Sequence, residues 1–192
     1  MFSFTEASRL REFLYRDPQE IEKDIKVVQR FKNTQAVEEV LLNRKPSLLL
    51  EEAVIIIVGQ LPAIITRMHV SPDLCDGHYP ACPFLSLSHQ LELVGQTGAL
   101  LLNTQCAKHF TGTVPLVYGS QEMRWGNSGL ILPGTDLFAV AKINNCRFGF
   151  AKANVMIVSK DEIVLTVEDV KYIAFKISEL ERIGETNNHH ER

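Results

Sequence analysis

One long apolar helix is predicted in a chain whose other apolar segments have the spacing of strands. From about residue 86 to residue 106, apolar residues and one glycine recur at helical spacing: Leu87, Leu91, Val94, Gly98, Leu101 and Leu102. Two strand-like segments precede this helix and four follow it. Because a sheet must bury its apolar face against another element, the strands are expected to share this helix. The sequence therefore predicts an α+β fold in which an antiparallel sheet wraps around a single buried helix.

The strand predictions rest on apolar runs that are separated by turn-forming residues. SLLLEEAVIIIV (47–58) and AIITRMHV (63–70) are separated by GQLP, which predicts a hairpin. After the helix, breaks at GNSGLILPGT, NNCRFG and SKDE divide the remaining chain into four strand-like segments. These segments are VPLVYGSQEMRW, DLFAVAKINNCRF, GFAKANVMIVSK and EIVLTVEDVKYIAF.

The N-terminal part has helical patterns in place of strand-like runs, and the chain is predicted to consist of three regions. Residues 1–45 are expected to be a helical extension, 46–180 the main domain and 181–192 a polar tail. SFTE has the spacing of a capping box, and Asp17 followed by Pro18 is typical of a helix start. Three apolar residues then share one helix face: Ile21, Ile25 and Val28. We expect this face to pack on the main domain or on a second subunit.

Composition and charge exclude several classes of protein. The formal net charge of −3 and the pI near 6.1 do not predict a basic surface for nucleic acid. The N-terminus mixes charges among its apolar residues and so lacks the apolar core of a signal peptide. The most apolar run, LLLEEAVIIIV, contains two adjacent glutamates and is too short to span a bilayer. We therefore expect a cytoplasmic protein that binds neither nucleic acid nor membrane.

The cysteines favour the same compartment. The four cysteines form no CxxC pair, and the chain is long enough to fold without a disulfide framework: Cys75, Cys82, Cys106 and Cys146. Two of them flank His78, but their spacing matches no common zinc module. A reducing environment is predicted, and a metal site is not.

The stretch DGHYPACPFLSLSHQLELVGQTG (76–98) carries the candidate chemistry. His78 lies on a loop whose path is restricted by Gly77, Pro80 and Pro83. The first half of the helix then places three polar residues on one face: His89, Glu92 and Gln96. A histidine and a carboxylate in one pocket offer a general base and a general acid, and free N–H groups at the helix start can bind an oxyanion.

These parts suffice to remove a proton beside a thioester carbonyl and to expel a β-hydroxyl as water. Taken alone, however, a loop histidine is more often structural than catalytic, and a helix glutamate is more often solvated.

The stretch resembles the motif of the FabZ-type (3R)-hydroxyacyl-[acyl carrier protein] dehydratases, which is roughly GHFPxxPxxPGxLxxExxxQ. Tyr79 replaces one aromatic residue by another, and six positions fall in register without a gap: Gly77, His78, Pro80, Pro83, Glu92 and Gln96. RKPSLLLEE (44–52) is similar to an early block of the family. MRWGNSGLILPGTDL (123–137) resembles a later block, with Pro133 and Gly134 at its Pro-Gly. The resemblance covers about residues 40 to 175.

The resemblance implies a hot-dog fold and a homo-oligomer, either a dimer or a trimer of dimers, with each active site at the dimer interface. At the matching positions, His78 of one subunit would take the C2 proton and Glu92 of the other would help the C3 hydroxyl leave as water. Gln96 would orient Glu92 or satisfy a buried position. No metal or organic cofactor is implied, and the partner is an acidic acyl carrier protein. Candidate basic contacts, which could equally be solvated strand residues, are Arg124, Lys142, Arg147 and Lys152.

This chain also departs from the family pattern. Ser86 and Leu87 replace the Pro-Gly at the helix start, where the amide of Leu87 would have to bind the thioester oxygen. If that position required a positive φ, leucine would cost on the order of 1 kcal/mol or more. The other departures are His89 and Gln90 for apolar residues and Leu42-Asn43 for Pro-His. Two alternatives therefore stay open: a hot-dog thioesterase that uses a carboxylate-activated water, and a binding or assembly subunit without turnover.

Overall fold

A computed structural model describes residues 7, 10, 25–43, 47–58, 61–76, 81–110, 112–126, 130–160, 162–180 and 182. The strands are β1 (Ile25–Phe31), β2 (Glu52–Val58), β3 (Leu61–His69), β4 (Thr113–Gly119), β5 (Glu122–Trp125), β6 (Asp136–Arg147), β7 (Phe150–Val158) and β8 (Ile163–Lys176). The helices are α1 (Thr34–Glu38), α2 (Leu87–Gln105) and α3 (Ala107–Phe110), and a 3-10 turn covers Pro72–Leu74.

The strands form one antiparallel sheet, as the sequence predicts. Its order is β1-β2-β3-β6-β7-β8-β4, and β5 continues the edge by pairing with another part of β8. The predicted hairpin of 47–58 with 63–70 is the β2–β3 pair. Within the described ranges, no helix is long and apolar enough to cross a membrane.

Helix α2 forms where the sequence predicts the long apolar helix. Ser86 is its N-cap, and the Ser86 hydroxyl accepts a hydrogen bond from the backbone N–H of His89. The helix buries Leu93, Leu100 and Leu101 in the main core against the concave face of the sheet. A buried hydrogen bond of 2.9 Å joins Thr97 of the helix to Thr66 of β3, so these two buried hydroxyl groups are paired. The hot-dog layout, a sheet around one central helix, is confirmed.

The closest approach of helix and sheet occurs at Gly98. Tyr172 of β8 is fully buried, and its hydroxyl donates to the carbonyl of Val94 at 3.1 Å. The ring lies where a side chain on Gly98 would otherwise project. Burial raises the pKa of Tyr172 well above its ordinary value. The tyrosine therefore stays neutral and fixes the helix one turn beyond Glu92.

The prediction of a helical extension over residues 1–45 is wrong for residues 25–31. These residues form β1, which pairs antiparallel with β2 and so belongs to the sheet. The proposed stripe included Ile25 and Val28, but Val28 is 45% exposed on the edge strand. Ile25 and Val27 pack on the outer face of the sheet as alternate residues of a strand do, and pairing with β2 satisfies the backbone of this edge. Asp17, Pro18, Ile21 and the SFTE box lie outside the described residues.

The outer face of the sheet carries a second apolar cluster. Alternate residues of the central strands form it: Val54, Ile56, Ala63, Ile65, Phe138, Val140, Met156 and Val158. Ala7 and Leu10, both helical, are buried against this cluster. At these two residues the N-terminal part of the chain packs on the outer face of the sheet.

Replacing Gly98 by alanine tests the close approach of α2 to Tyr172. An added Cβ would overlap the hydroxyl and ring of Tyr172, which is held by packing on all sides. We expect Gly98→Ala to lower the free energy of unfolding by about 1–3 kcal/mol, as for other overpacked cores. Urea denaturation followed by circular dichroism measures this change.

Gly95→Ala is the matched control, because a Cβ at Gly95 would meet Val117 Cγ2 at an ordinary 3.5 Å. On the same helix it should raise the stability by up to about 1 kcal/mol, since alanine is the better helix former. Equal effects of the two substitutions would contradict this account.

Candidate active site

Glu92 lies exposed on the second turn of α2, and one of its carboxylate oxygens is fixed. Oε1 accepts hydrogen bonds from Gln96 Nε2 at 2.7 Å and from Asn43 Nδ2 at 3.3 Å. No hydrogen bond to Oε2 comes from the part of the chain that the structure describes. The carboxylate is therefore held through Oε1, and Oε2 is the oxygen that can exchange a proton with a substrate.

Gln96 connects the helix to the chain before β2. Its side chain is 2% exposed. Its Oε1 accepts from the backbone N–H of Leu49 at 2.9 Å, and its Nε2 donates to the carbonyl of Ser47 at 2.6 Å as well as to Glu92. Gln96 thus makes both kinds of contact expected for it. It pairs with the backbone N–H of Leu49 and the carbonyl of Ser47, and it orients the carboxylate of Glu92.

Asn43 is a site residue that the sequence analysis did not assign. It was noted only as a departure from the family pattern, where a histidine stands. Its amide reaches Glu92 across 49 positions of the chain. The sequence signal for this role is the substitution itself. Just before a matched block, asparagine replaces the histidine of the family pattern, and both side chains can form hydrogen bonds.

The start of α2 offers backbone donors to the same region. The N–H of His89 is taken by Ser86, whereas the N–H groups of Leu87 and Ser88 lie in the first turn, where no helical carbonyl can reach them. Leu87 is 46% exposed. Among described non-glycine residues only Phe148 and Asp169 have a positive φ, so Leu87 carries no such strain. Replacing glycine by leucine therefore has no backbone cost here.

Two cavities meet at Glu92. A groove of about 610 Å³ runs along α2 from Ser88 to Asn103 and is closed on one side by β4, residues 113–117. A second pocket of about 620 Å³ lies between the first turns of α2, residues 43, 47 and 49, and the 3-10 turn. Asn43, Ser88 and Glu92 line both. The carboxylate thus stands at the boundary between the groove and the pocket.

Part of the predicted site cannot be located. Gly77, His78, Tyr79 and Pro80 lie outside the described residues. Pro83 is described and is exposed. The pairing of His78 with Glu92 therefore stays a prediction, and what the structure brings together is Glu92, Gln96 and the start of α2.

The candidate basic contacts are mostly engaged elsewhere. Arg124 pairs with Glu122 at 2.6 Å, and Lys152 pairs with Asp169 at 3.0 Å. Lys142 is partly buried in β6, and Arg147 is exposed at the end of that strand. Among the four, Arg147 is the residue best placed to offer its charge to an acidic partner.

Two of the described cysteines, Cys75 and Cys106, are held in the thiol form. Burial, together with a hydrogen bond that the Cys106 thiol donates to Cys146, raises the pKa of Cys106 to about 12. Burial and the nearby Asp76 also raise the pKa of Cys75. In the described ranges, no three His, Cys, Asp or Glu side chains are grouped as metal ligands would be.

Removing the Gln96 amide tests its connecting role. Gln96→Ala would leave the buried N–H of Leu49 without its acceptor, so we expect a loss of about 1–3 kcal/mol in the free energy of unfolding. Asn103→Ala is the matched control on the same helix: its amide donates to the carbonyl of Val40 at 3.2 Å in a less buried place. That loss should be about 0.5–1.5 kcal/mol. Chemical denaturation compares the two, and a smaller loss for Gln96→Ala would contradict the assignment.

Comparison with known proteins agrees with this architecture. The chain is 26% identical over 125 residues to the 3-hydroxyacyl-[acyl-carrier-protein] dehydratase FabZ of Symbiobacterium thermophilum, covering 65% of this chain and 85% of that protein. No family model matches. The dehydratase heterocomplex ApeI:P of Xenorhabdus doucetiae is 17% identical with a TM-score of 0.55, and the match covers 77% of this chain and 95% of that one.

Two further solved structures share the fold. A hot-dog-like protein of Thermanaerovibrio acidaminovorans is 18% identical with a TM-score of 0.50, covering 65% of this chain and 89% of its own. The fluoroacetyl-CoA thioesterase FlK is 8% identical with a TM-score of 0.53, covering 65% and 93%. Dehydratases and thioesterases therefore both lie among the structural neighbours. The chain is a hot-dog fold protein whose sequence resembles that of the FabZ-type dehydratases.

Proposed function

We propose that this protein dehydrates (3R)-hydroxyacyl thioesters on acyl carrier protein to trans-2-enoyl thioesters, in fatty-acid or specialised acyl-chain synthesis. The observation that supports this most is the fixed carboxylate of Glu92. Oε1 is held by two amide donors, and Oε2 is left for chemistry at the wall of a groove that can take an acyl chain. A general acid needs such a defined position relative to the leaving hydroxyl.

The reaction needs one base, one acid and one oxyanion donor. The imidazole of His78 takes the proton from C2, and the electrons of that bond form the new double bond. The C3–O bond breaks as Glu92 gives its Oε2 proton to the leaving hydroxyl, which departs as water. The N–H groups of Leu87 and Ser88 stabilise the charge that develops on the thioester oxygen.

The groove is open on one side, so we propose that a second subunit closes it. Leu91 on α2 and Leu116 and Val117 on β4 leave large apolar surfaces uncovered beside Glu92. Strand β4 also lies at the edge of the sheet, where a second copy can add its own edge strand. In such a homodimer His78 of one subunit faces Glu92 of the other. The dehydratase of Xenorhabdus doucetiae is described as a heterocomplex, so a related hot-dog chain is the second candidate for the partner.

Two other functions remain as outcomes of experiment. A thioesterase would use Glu92 to activate water. Its support is the fold that this chain shares with FlK, and a shared fold does not by itself establish an activity. A binding subunit without turnover is suggested by Ser86-Leu87 at the helix start. A cytoplasmic enzyme acting with an acidic carrier protein is the proposal that accounts for the matched motif as a whole.

The assay follows the reverse reaction, hydration of a trans-2-enoyl thioester on carrier protein and on coenzyme A, by loss of the enoyl absorbance. Glu92→Gln and His78→Ala should each lower kcat about 10²–10⁴-fold, because each removes an acid–base group. Glu162→Gln, an exposed glutamate on the β7–β8 turn, is the matched control and should leave kcat unchanged.

The outcomes separate the candidate functions. Faster turnover on carrier protein than on coenzyme A would identify the carrier. Release of free thiol in place of hydration would favour the thioesterase. A folded wild type that does neither would favour the binding subunit.

The oligomeric state tests the second part of the proposal. Val117→Lys puts a charge on β4 beside the open groove and should shift the protein from dimer to monomer in sedimentation or size-exclusion experiments. Val28→Lys is the matched control. Val28 is exposed to a similar extent, 45% against 47% for Val117, but it lies on β1 at the opposite edge of the sheet. Dissociation by Val28→Lys, or a wild type that is monomeric alone, would contradict a homodimer through β4.

A further inference from the structure

His89 is held in a defined orientation at the start of α2. Its Nδ1 lies 3.0 Å from Ser86 Oγ, and the imidazole is partly buried. Ser86 is 8% exposed, accepts the backbone N–H of His89 at 3.3 Å and lies 2.8 Å from Ser88 Oγ. These contacts form a continuous chain from the exposed hydroxyl of Ser88 through Ser86 to the ring of His89.

The direction of the Ser86–Ser88 hydrogen bond decides the tautomer of His89. Ser86 Oγ has one proton and two lone pairs, and it accepts from the His89 N–H. Either hydroxyl can donate in the contact with Ser88, and we assign Ser88 as the donor. Its own proton is then directed at Nδ1 of His89. The neutral ring consequently carries its proton on Nε2, the nitrogen that is not engaged by Ser86.

The pocket beside His89 is polar. Six of the eight residues that line it have polar side chains: Asn43, Ser47, Asp73, Ser88, His89 and Glu92. Among the described residues that line this pocket with His89, the charged or titratable groups are Glu92 from its own helix and Asp73 from the 3-10 turn. The described lining residues from the chain before β2 are uncharged: Asn43, Ser47 and Leu49. His89 stands three residues before Glu92, so both side chains lie on one face of α2.

The proposed dehydration leaves Glu92 without its proton after every turnover. An acyl chain and a second subunit would fill the groove and exclude water from that side. The polar pocket lies on the other side of Glu92 and contains a histidine. Resting on the proposed function, we propose that His89 returns the proton to Glu92 through this pocket, and that it acts through Glu92 without touching the substrate.

The transfer balances as follows. The Nε2 proton of His89 passes to the Glu92 carboxylate, directly or through one pocket water. Ser86 passes its hydroxyl proton to Nδ1, Ser88 passes its own to Ser86, and solvent supplies one to Ser88. Each intermediate group gives one proton and receives one. The proton drawn from solvent replaces the one that His78 releases after taking it from C2. The ring is reset when Nε2 takes a proton from pocket water and Nδ1 returns one through Ser86 and Ser88 to solvent, which in turn restores the pocket water.

Chemical rescue tests this role. We expect His89→Ala to lower kcat about 10- to 100-fold with a smaller change in kcat/KM, because proton return follows the chemical step. Added imidazole should restore kcat with saturation, whereas Glu92→Gln should not respond to imidazole. His89→Gln keeps a hydrogen-bonding side chain next to Ser86, so it should fold as the wild type and still lose kcat. His109→Ala, at a partly buried histidine of α3, is the matched control and should be unaffected.

A second readout does not depend on turnover. In ¹⁵N NMR spectra at neutral pH and above, His89 should carry its proton on Nε2, and Ser86→Ala should abolish that preference. An unchanged kcat in His89→Ala, or a loss that imidazole does not restore, would overturn the inference while leaving the dehydratase intact. A wild type without hydration activity would overturn the proposed function, and this inference with it.

Discussion

The buried amide of Gln96 is the contact on which both the fold and the site depend. Through one side chain it pairs the backbone at Ser47 and Leu49 and also holds the carboxylate of Glu92. A buried amide of this kind is stable only when its donors and acceptors are all paired. The chain before β2 and the first half of α2 are therefore fixed together, and the position of the carboxylate follows from the packing of the core.

The helix also explains why Glu92 can be exposed and still well placed. Gln96 and Leu93 lie on the buried side of α2, and Tyr172 fixes that side against β8 beside Gly98. Glu92, one turn before Gln96, is then forced to the rim between an acyl-sized groove and a polar pocket. A carboxylate at such a boundary can face an apolar substrate on one side and exchange protons with water on the other.

The sequence predicts the central architecture well because local and tertiary preferences agree there. The apolar period of α2 and the runs of β2, β3 and β6 to β8 match the elements observed. β1 was predicted to be helical because Ile21, Ile25 and Val28 have helical spacing, yet pairing with β2 outweighs this local pattern. The contact of Asn43 with Glu92 has no local pattern at all, since it joins residues 49 positions apart. The motif names Glu92 and Gln96 without showing what holds them.

The departures at the start of α2 form one connected set. Taken one at a time, Ser86-Leu87 in place of Pro-Gly suggests a shifted oxyanion site, and His89 in place of an apolar residue suggests a more polar pocket or interface. In the structure Leu87 has an ordinary negative φ and its N–H lies in the first turn, so a backbone donor for the proposed oxyanion site is present. Ser86, which caps the helix, is the same residue that orients His89, and Ser88 completes the contact. A proline at position 86 could form neither bond, so the orientation of His89 depends on Ser86, and together the two residues give this helix start a second titratable group beside Glu92.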